Sequence, residues 1–381
     1  MTAVVDRVPG PGPDALVKDI DNQGISLLLL AQAEVQAKAA EARKVRSVGV
    51  QEPVLALSMA ADRTSSRTIG LRLANTTFIN GKEHTLFGTG WKYDDRALLQ
   101  KVDSLDLAKC LVKFTTDGSV HDSGRFPLDP VSRPRKVVSC MGNILRQLAR
   151  STDGGAAMPA SFELESELPR YISEHDVDDS RVFVWGLLEK SKSDMPPSDE
   201  ADVQTRIRES LRTGGKLLRV MSGGGGWGKK QGLLSLDHET DFLESSSDLF
   251  ELRDLLLREE GRVPRSFQGE LPAIDEELPF FSHTVEPGDY IQFFVSVAPE
   301  ERPLLRDEEG TAASFCFGVS SENEDAEDVA VDMDQKGLVA IPRYFGALSE
   351  KAISYSQPVG DVPSATKLDV PGCRVELVIR M

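Results

Sequence analysis

The segment Arg181-Val182-Phe183-Val184-Trp185-Gly186-Leu187-Leu188 carries six apolar side chains around one glycine, with no charge after Arg181. An apolar run of this length, without the polar alternation of a half-exposed strand, reads as a strand covered on both faces. Any fold for this chain must cover both sides of that one element. After a break at Met195-Pro196-Pro197-Ser198, residues 199–213 read as a helix ended by Gly214-Gly215, and Lys216 to Met221 as a second strand. The order is strand, helix, strand, and if the two strands are parallel their crossover is right-handed. Further helices are expected over 139–150, 161–168 and 247–260, the last with Leu249, Phe250, Leu252, Leu255, Leu256 and Leu257 on one side and Gly261 at its C-cap.

The flanks have a different texture. Residues 26–46 are a dense run of Ala, Leu, Gln, Glu and Lys without Pro or Gly, which predicts one long helix. From Thr68 the chain turns to β-branched and aromatic residues. The strand-like stretches 68–73, 76–79 and 84–87 surround Asn80-Gly81, a hairpin signal, and Leu111 to Phe114 followed by Thr116-Asp117-Gly118 reads as a strand and turn. Beyond Pro287-Gly288 short strands recur over 290–297, 313–319, 337–341, 352–355 and 374–379, a spacing that suits a sandwich or barrel.

The expected fold class is therefore α+β, with β-rich N- and C-terminal parts, sandwich- or barrel-like, around a central α/β segment. Its expected divisions are an N-terminal tail and helix over 1–67, a β-rich segment over 68–130, the central segment over 131–262, and a β-rich segment over 263–381 that forms one domain with 68–130. A chain of 381 residues has room for such a core.

The stretch Ser222-Gly223-Gly224-Gly225-Gly226-Trp227-Gly228-Lys229-Lys230-Gln231-Gly232 follows a predicted strand. Glycines there let backbone N–H groups approach an anion with no Cβ in the way. The spacing from Gly223 to Gly228-Lys229 is similar to the phosphate loop of nucleoside triphosphatases, G-x-x-x-x-G-K-[ST]. The match breaks at Lys230, where a hydroxyl would hold magnesium, and Gly232 works against the helix that should follow. Val329-Ala330-Val331-Asp332 is a poor partner strand for it. Three readings remain open: a nucleotide site, a contact loop for phosphates or nucleic acid, and a structural or flexible glycine loop.

Charge bears on that choice. The total is −17, yet residues 131–150 hold Arg133, Arg135, Lys136, Arg146 and Arg150 with no acid, and residues 206–230 hold seven Lys or Arg against Glu209. These two segments carry +5 and +6, which leaves −28 on the rest of the chain. A basic surface on an acidic body attracts phosphates locally. Trp227 between glycine and two lysines suits stacking on a base. The bland alternative folds Trp227 back as a plug and lets the arginines solvate helix faces or pair with acids.

Other constellations carry less. The histidines His84, His121, His175, His238 and His283 show neither H-E-x-x-H nor a zinc spacing, and no G-x-S-x-G elbow occurs. His121-Asp122-Ser123 has triad letters, but neighbours in sequence do not adopt triad geometry. Asp332 to Arg343 fails as a calcium loop because Lys336 and Arg343 stand at ligand positions, and the acid-rich run 322–334 reads as a solvated loop. The cysteines Cys110, Cys140, Cys316 and Cys373 show no paired spacing, so free thiols in a reducing compartment are expected. Cys140 is the one cysteine in a basic sequence setting, which would lower its thiol pKa, with a packed core cysteine as the plainer reading. No cofactor or metal is implied. Residues 1–13 lack an apolar signal core and the first 30 residues are not Arg-rich, so an intracellular protein is expected, cytoplasmic in preference to mitochondrial. The longest apolar run, Leu27 to Ala31, is far short of the roughly 20 residues of a membrane span.

At Ser222 to Asp237 and at Arg135-Lys136-Val137-Val138-Ser139-Cys140-Met141-Gly142-Asn143-Ile144-Leu145-Arg146-Gln147-Leu148, the chain resembles an uncharacterised family of filamentous-fungal proteins. The resemblance covers roughly 30 of 381 residues and implies no activity. The leading expectation is a non-enzymatic protein, one piece of a larger assembly, that contacts RNA or another phosphate-bearing partner. Arg135, Lys136, Arg146, Lys229 and Lys230 would meet phosphates, Gly223, Gly224, Gly225, Gly226 and Gly228 would allow close backbone approach, and Trp227 would stack. The rivals are an enzyme or nucleotide binder that holds a small phosphorylated ligand at Gly223 to Lys229, and a scaffold that contacts only protein.

Overall fold

The structure is a computed structural model, and it describes residues 1–9, 22–40, 52–61, 66–74, 84–151, 156–175, 182–190, 202–223, 232–243, 248–257, 284–297, 310–321, 340–360 and 362–381. In chain order the first strands are β1 Thr2–Val8, β2 Asn22–Leu28, β3 Glu34–Ala39, β4 Val54–Ala60, β5 Arg67–Arg72, β6 Phe87–Tyr93, β7 Leu99–Thr115, β8 Ser119–Arg125 and β9 Leu128–Pro130. The middle of the chain supplies β10 Arg135–Met141, β11 Ile144–Ala149, β12 Ala157–Pro159, α1 Phe162–His175, β13 Val184–Glu189, α2 Val203–Arg212, β14 Lys216–Gly223, β15 Leu234–Leu236, β16 Phe250–Glu251 and α3 Leu252–Leu256. The rest are β17 Tyr290–Ser296, β18 Thr311–Val319, β19 Tyr344–Ser349, β20 Ile353–Val359, β21 Val362–Leu368 and β22 Arg374–Arg380.

Two bodies emerge from the pairing. The first is a closed barrel of six strands in the order β10-β11-β15-β14-β13-β17, which returns to its start where Arg135 pairs with Ile291 and Lys136 with Tyr290. Every pairing in the barrel is antiparallel, so β13 and β14, which the sequence leaves open to a parallel reading, are neighbours in opposite directions, with Trp185 opposite Arg219. The central segment is thus not a parallel α/β unit. The second body is a sandwich. One layer is an eight-stranded sheet ordered β16-β3-β7-β4-β5-β20-β21, with β6 added to β7, and the other is β19-β18-β22-β8. Strands from before and after the central segment pair directly, β5 with β20 and β8 with β22. β17, grouped by sequence with the C-terminal strands, is instead a stave of the barrel.

β13 joins the two bodies. Val184 and Leu188 belong to the barrel core, with Leu145, Leu148, Leu218, Leu234, Ile291 and Phe293. Trp185 and Leu187 face the opposite way, into the sandwich core with Leu57, Ile69, Phe315, Phe317 and Leu377. Both faces are covered, as the apolar run predicts, but by two β cores and not by helices. Trp185 is 1% exposed and donates from Nε1 to Asp369 Oδ1 at 2.7 Å, so its one polar atom is satisfied. Gly186 faces the barrel core, where a Cβ would come within 2.8 Å of Ile291.

Helix α2 ends where the sequence signals it and starts later than the expected 199, at a cap not foreseen from the sequence. The Asp202 carboxylate accepts from Thr205 N at 3.1 Å, and Gly214 follows the last turn with φ +93. α1 covers the expected 161–168 and runs on to His175. Three other predicted helices differ. Residues 22–40 form β2 and β3, because Ala37 is fully buried in register with Cys110 of β7 and sheet burial outweighs a weak local preference. Residues 135–149 form the hairpin β10–β11 around Gly142, whose φ is +62. Two register shifts there leave Val138 and Arg146 as extra residues, so Leu145 and Leu148 both point inward three positions apart, a spacing that imitates a helix. In 247–260 only Leu252–Leu256 is helical; Phe250 and Glu251 pair with β3, and 258–260 lie outside the described residues. The Asn80-Gly81 turn also lies outside them. The strand expected over 76–79 before that turn lies outside them as well.

Candidate nucleic-acid interface

β14 and β15 form an antiparallel hairpin whose last pair is Gly223 opposite Leu234. The glycine-rich stretch connects them at one end of the barrel. Gly224, Gly225, Gly226, Trp227, Gly228, Lys229 and Lys230 lie outside the described residues; both feet of the loop are described. At the returning foot, Gly232 has φ +83, a Cβ on it would come within 2.7 Å of Pro159, and its carbonyl accepts from Ser161 N at 3.3 Å. Only glycine fits this foot without strain. The element after the loop is the strand β15, so the loop does not aim a helix N-terminus at a ligand as a triphosphatase loop does.

Helix α1 closes the same end of the barrel. Its Leu164 lies in the barrel core, Leu168 and Tyr171 pack against that core, and the Tyr171 hydroxyl donates to Asp129 Oδ2 at 3.0 Å. Burial and the neighbouring Asp129 carboxylate push that phenol up to about 12. Arg135 locks the helix to the staves. Its Nε and Nη2 donate to the Glu163 carboxylate at 2.8–3.1 Å, and its Nη1 donates to the Arg150 carbonyl. Glu163 is only 7% exposed, so this fork holds an otherwise costly buried carboxylate. Arg135 and the half-buried Lys136 are also the residues whose backbone closes the barrel. The expected phosphate role of Arg135 gives way to a structural one.

Arg146 differs. As the extra residue of a β-bulge it is pushed out of the stave, exposed, and has no carboxylate partner among the described residues. Arg150, also exposed, lies over the Phe162 ring at 5.9 Å. Arg219, in the middle of β14 opposite Trp185, lies over Phe183 at 4.3 Å and Trp185 at 5.9 Å. Neither has a carboxylate partner among the described residues. Phe162 and Phe183 are 48% and 45% exposed, and Met221 beside Arg219 on β14 is exposed too. The fold thus places Arg146 on β11, Arg150 just after it and Arg219 on β14, drawn from both basic segments. Phe162 and Phe183 carry no sequence signal for this role. Phe183 sits in the apolar run and Phe162 at a helix start, and only their exposure beside an arginine sets them apart.

The opposite end of the barrel is acidic. Lys190 bridges Glu286 and the buried Asp289 at 3.4 and 3.0 Å. Cys140 lies there, donating Sγ–H to the Val285 carbonyl at 3.2 Å. Burial, then Asp289 and Glu286, push its thiol pKa up, which corrects the lowered value its basic sequence neighbours suggest. All four cysteines are free. His121 bonds Ser119 at 2.9 Å, while Asp122 is bound to Arg67 and Arg212, so no triad assembles. Among the described residues no group of His, Cys, Asp and Glu is arranged to hold a metal, and no helix is long and apolar enough to cross a membrane. The Val329–Asp332 strand and the acidic run 322–334 lie outside the described residues.

No protein-family model, curated protein or solved structure matches this chain.

Proposed function

We propose that this protein binds RNA, or another partner bearing a chain of phosphates, through the loop-bearing end of the barrel and catalyses no reaction there. The observation that carries this reading is the state of the arginines. Arg146, Arg150 and Arg219 reach solvent on or beside staves of the barrel that bears a Gly- and Lys-rich hairpin loop, without a carboxylate partner among the described residues, in a chain of net charge −17. A cation left without an acid in so acidic a chain is available to a phosphate. Lys229 and Lys230 in the loop add two more charges, and the glycines around them admit close backbone approach.

Anisotropy of a labelled single-stranded RNA, titrated at two salt concentrations, tests this. Wild type is expected to bind and to weaken with salt, because each phosphate contact releases counterions and contributes a slope of about −0.7 in log K against log salt on single strands. Arg146→Glu should weaken binding and reduce that slope. Lys229→Glu/Lys230→Glu should do so further. Absence of binding at low salt overturns the reading, and thermal protection by a mononucleotide but not by RNA moves the site to a small phosphorylated ligand.

A further inference from the structure

Two exposed arginine–phenylalanine pairs lie on the barrel, one on β14 and just before β13, the other just after β11 and at the start of α1. Arg219 and Phe183 stand beside the outgoing strand β14, with the guanidinium carbon 4.3 Å from the ring centroid. Arg150 and Phe162 stand beside the returning foot, where Gly232 is bonded to Ser161, the residue before Phe162. Phenylalanine exposed to nearly half its surface, next to an arginine with no carboxylate partner among the described residues, is poorly used as core. Phe183 is not needed to fill the sandwich core, since Trp185 and Leu187 of the same strand do so at 1% and 0% exposure. Phe162 likewise lies outside the barrel core that Leu164 enters.

Resting on the nucleic-acid reading above, we infer that Phe183 with Arg219 and Phe162 with Arg150 are two stacking platforms for unpaired bases, so that the ligand is a single strand. A ring and an adjoining guanidinium plane together offer a flat cationic surface to any base, and base faces are accessible only where the strand is unpaired. The staves β11, β15, β14 and β13 lie side by side, at the ordinary strand spacing of about 4.8 Å. β11 and β13 are three staves apart in the closed ring of six, on opposite sides of the barrel, so each platform offers a separate stacking contact. Charge alone would serve a duplex equally well; the ring pairs select for unstacked bases.

The full-length protein is titrated against a labelled poly(U) strand of about 12 nucleotides and against a blunt RNA duplex of about 12 base pairs, within the site size of a small barrel. The expected result is a preference for the single strand of at least about tenfold. Phe183→Leu/Phe162→Leu should lose roughly tenfold per platform, toward the lower half of what a base–aromatic stack contributes, with the salt slope unchanged because no charge is removed. Phe183→Tyr/Phe162→Tyr keeps both rings and should bind like wild type. Equal affinity for duplex and single strand overturns the platforms, and so does a leucine variant that binds like wild type, while the phosphate reading survives both. Binding of neither probe at low salt overturns both readings. If thermal unfolding shows that the leucine variant does not fold, the single-strand preference of wild type decides alone.

Discussion

In the sandwich and on α2, several arginines end on acids. Arg67 and Arg212 share Asp122, Arg72 reaches Glu52 and Glu239, and Arg206 bonds Glu189 at 3.0 Å. Among the described residues of the two basic segments at the loop-bearing end of the barrel, Arg135 alone does so, and it is the arginine that ties a helix to the staves. The same side chain serves as a strut where a carboxylate meets it across the fold, and as an available cation where a bulge or the outer face of a stave turns it outward. Basic clusters in a sequence therefore overstate a binding surface by the members that tertiary structure consumes.

The sharpest way to break this division is at the element both bodies share. Trp185→Ala removes the largest side chain at the junction and leaves Asp369 without its indole donor, and should cost about 3–5 kcal/mol. Urea unfolding followed in both bodies should then show one earlier transition, whereas two separated transitions would mean that barrel and sandwich are independently stable.

Arg135→Gln should cost about 2–3 kcal/mol, somewhat below a fully buried pair because Arg135 is partly exposed, while Arg146→Gln should stay within about 0.5 kcal/mol. Chemical denaturation paired with RNA titration separates the two, since the order of effects reverses for binding. Equal stability costs would erase the distinction between strut and available cation.

Gly232→Ala forces a Cβ against Pro159 at positive φ and should cost about 1–2 kcal/mol, read as a lower midpoint in thermal unfolding. A neutral outcome would mean that the foot of the loop relaxes freely.

The smallest effect concerns pH. Burial alone would raise the Asp237 carboxyl, but the Lys367 hydrogen bond, the Glu239 backbone and nearby positive charge outweigh it and hold the pKa below the ordinary carboxylate value. A depressed carboxylate stabilises the fold above its unfolded pKa and stops doing so as pH falls through the folded one. Asp237→Asn should therefore lose about 1 kcal/mol at neutral pH, since Lys367 keeps Asp369 and Glu239 nearby, and lose nothing further in strong acid. An equal cost at both pH values would sever the pair from the stability of the sandwich.

Legibility in the sequence followed the range of the interaction. The two-faced strand, the Gly214 stop and the turn at Pro287-Gly288 are written within a few residues of where they act, and the structure has them all. The hairpin around Gly142 was hidden because two bulges gave Leu145 and Leu148 the spacing of a helix. The expected helix 26–46 misled for a related reason: Ala-rich composition favours helix locally, while Ala37 is held in a sheet by β7, more than 70 residues away in the pairing Ala37 with Cys110. Of the predicted site, Gly224 to Lys230 lie outside the described residues, Arg146 is exposed, and Arg135 is bound to Glu163.

By itself the sequence determined which segments are apolar enough to be interior, roughly where two helices lie and where one of them stops, and that basic charge is concentrated in two stretches of an acidic chain. Those properties depend on neighbours in the chain. Tertiary structure alone decided that β10 meets β17 to close a barrel, that β13 and β14 run antiparallel, and which arginines find an acid. Register and ion pairing are settled between partners as far apart as the 184 residues separating Trp185 from Asp369, and no local pattern encodes which of many possible partners arrives.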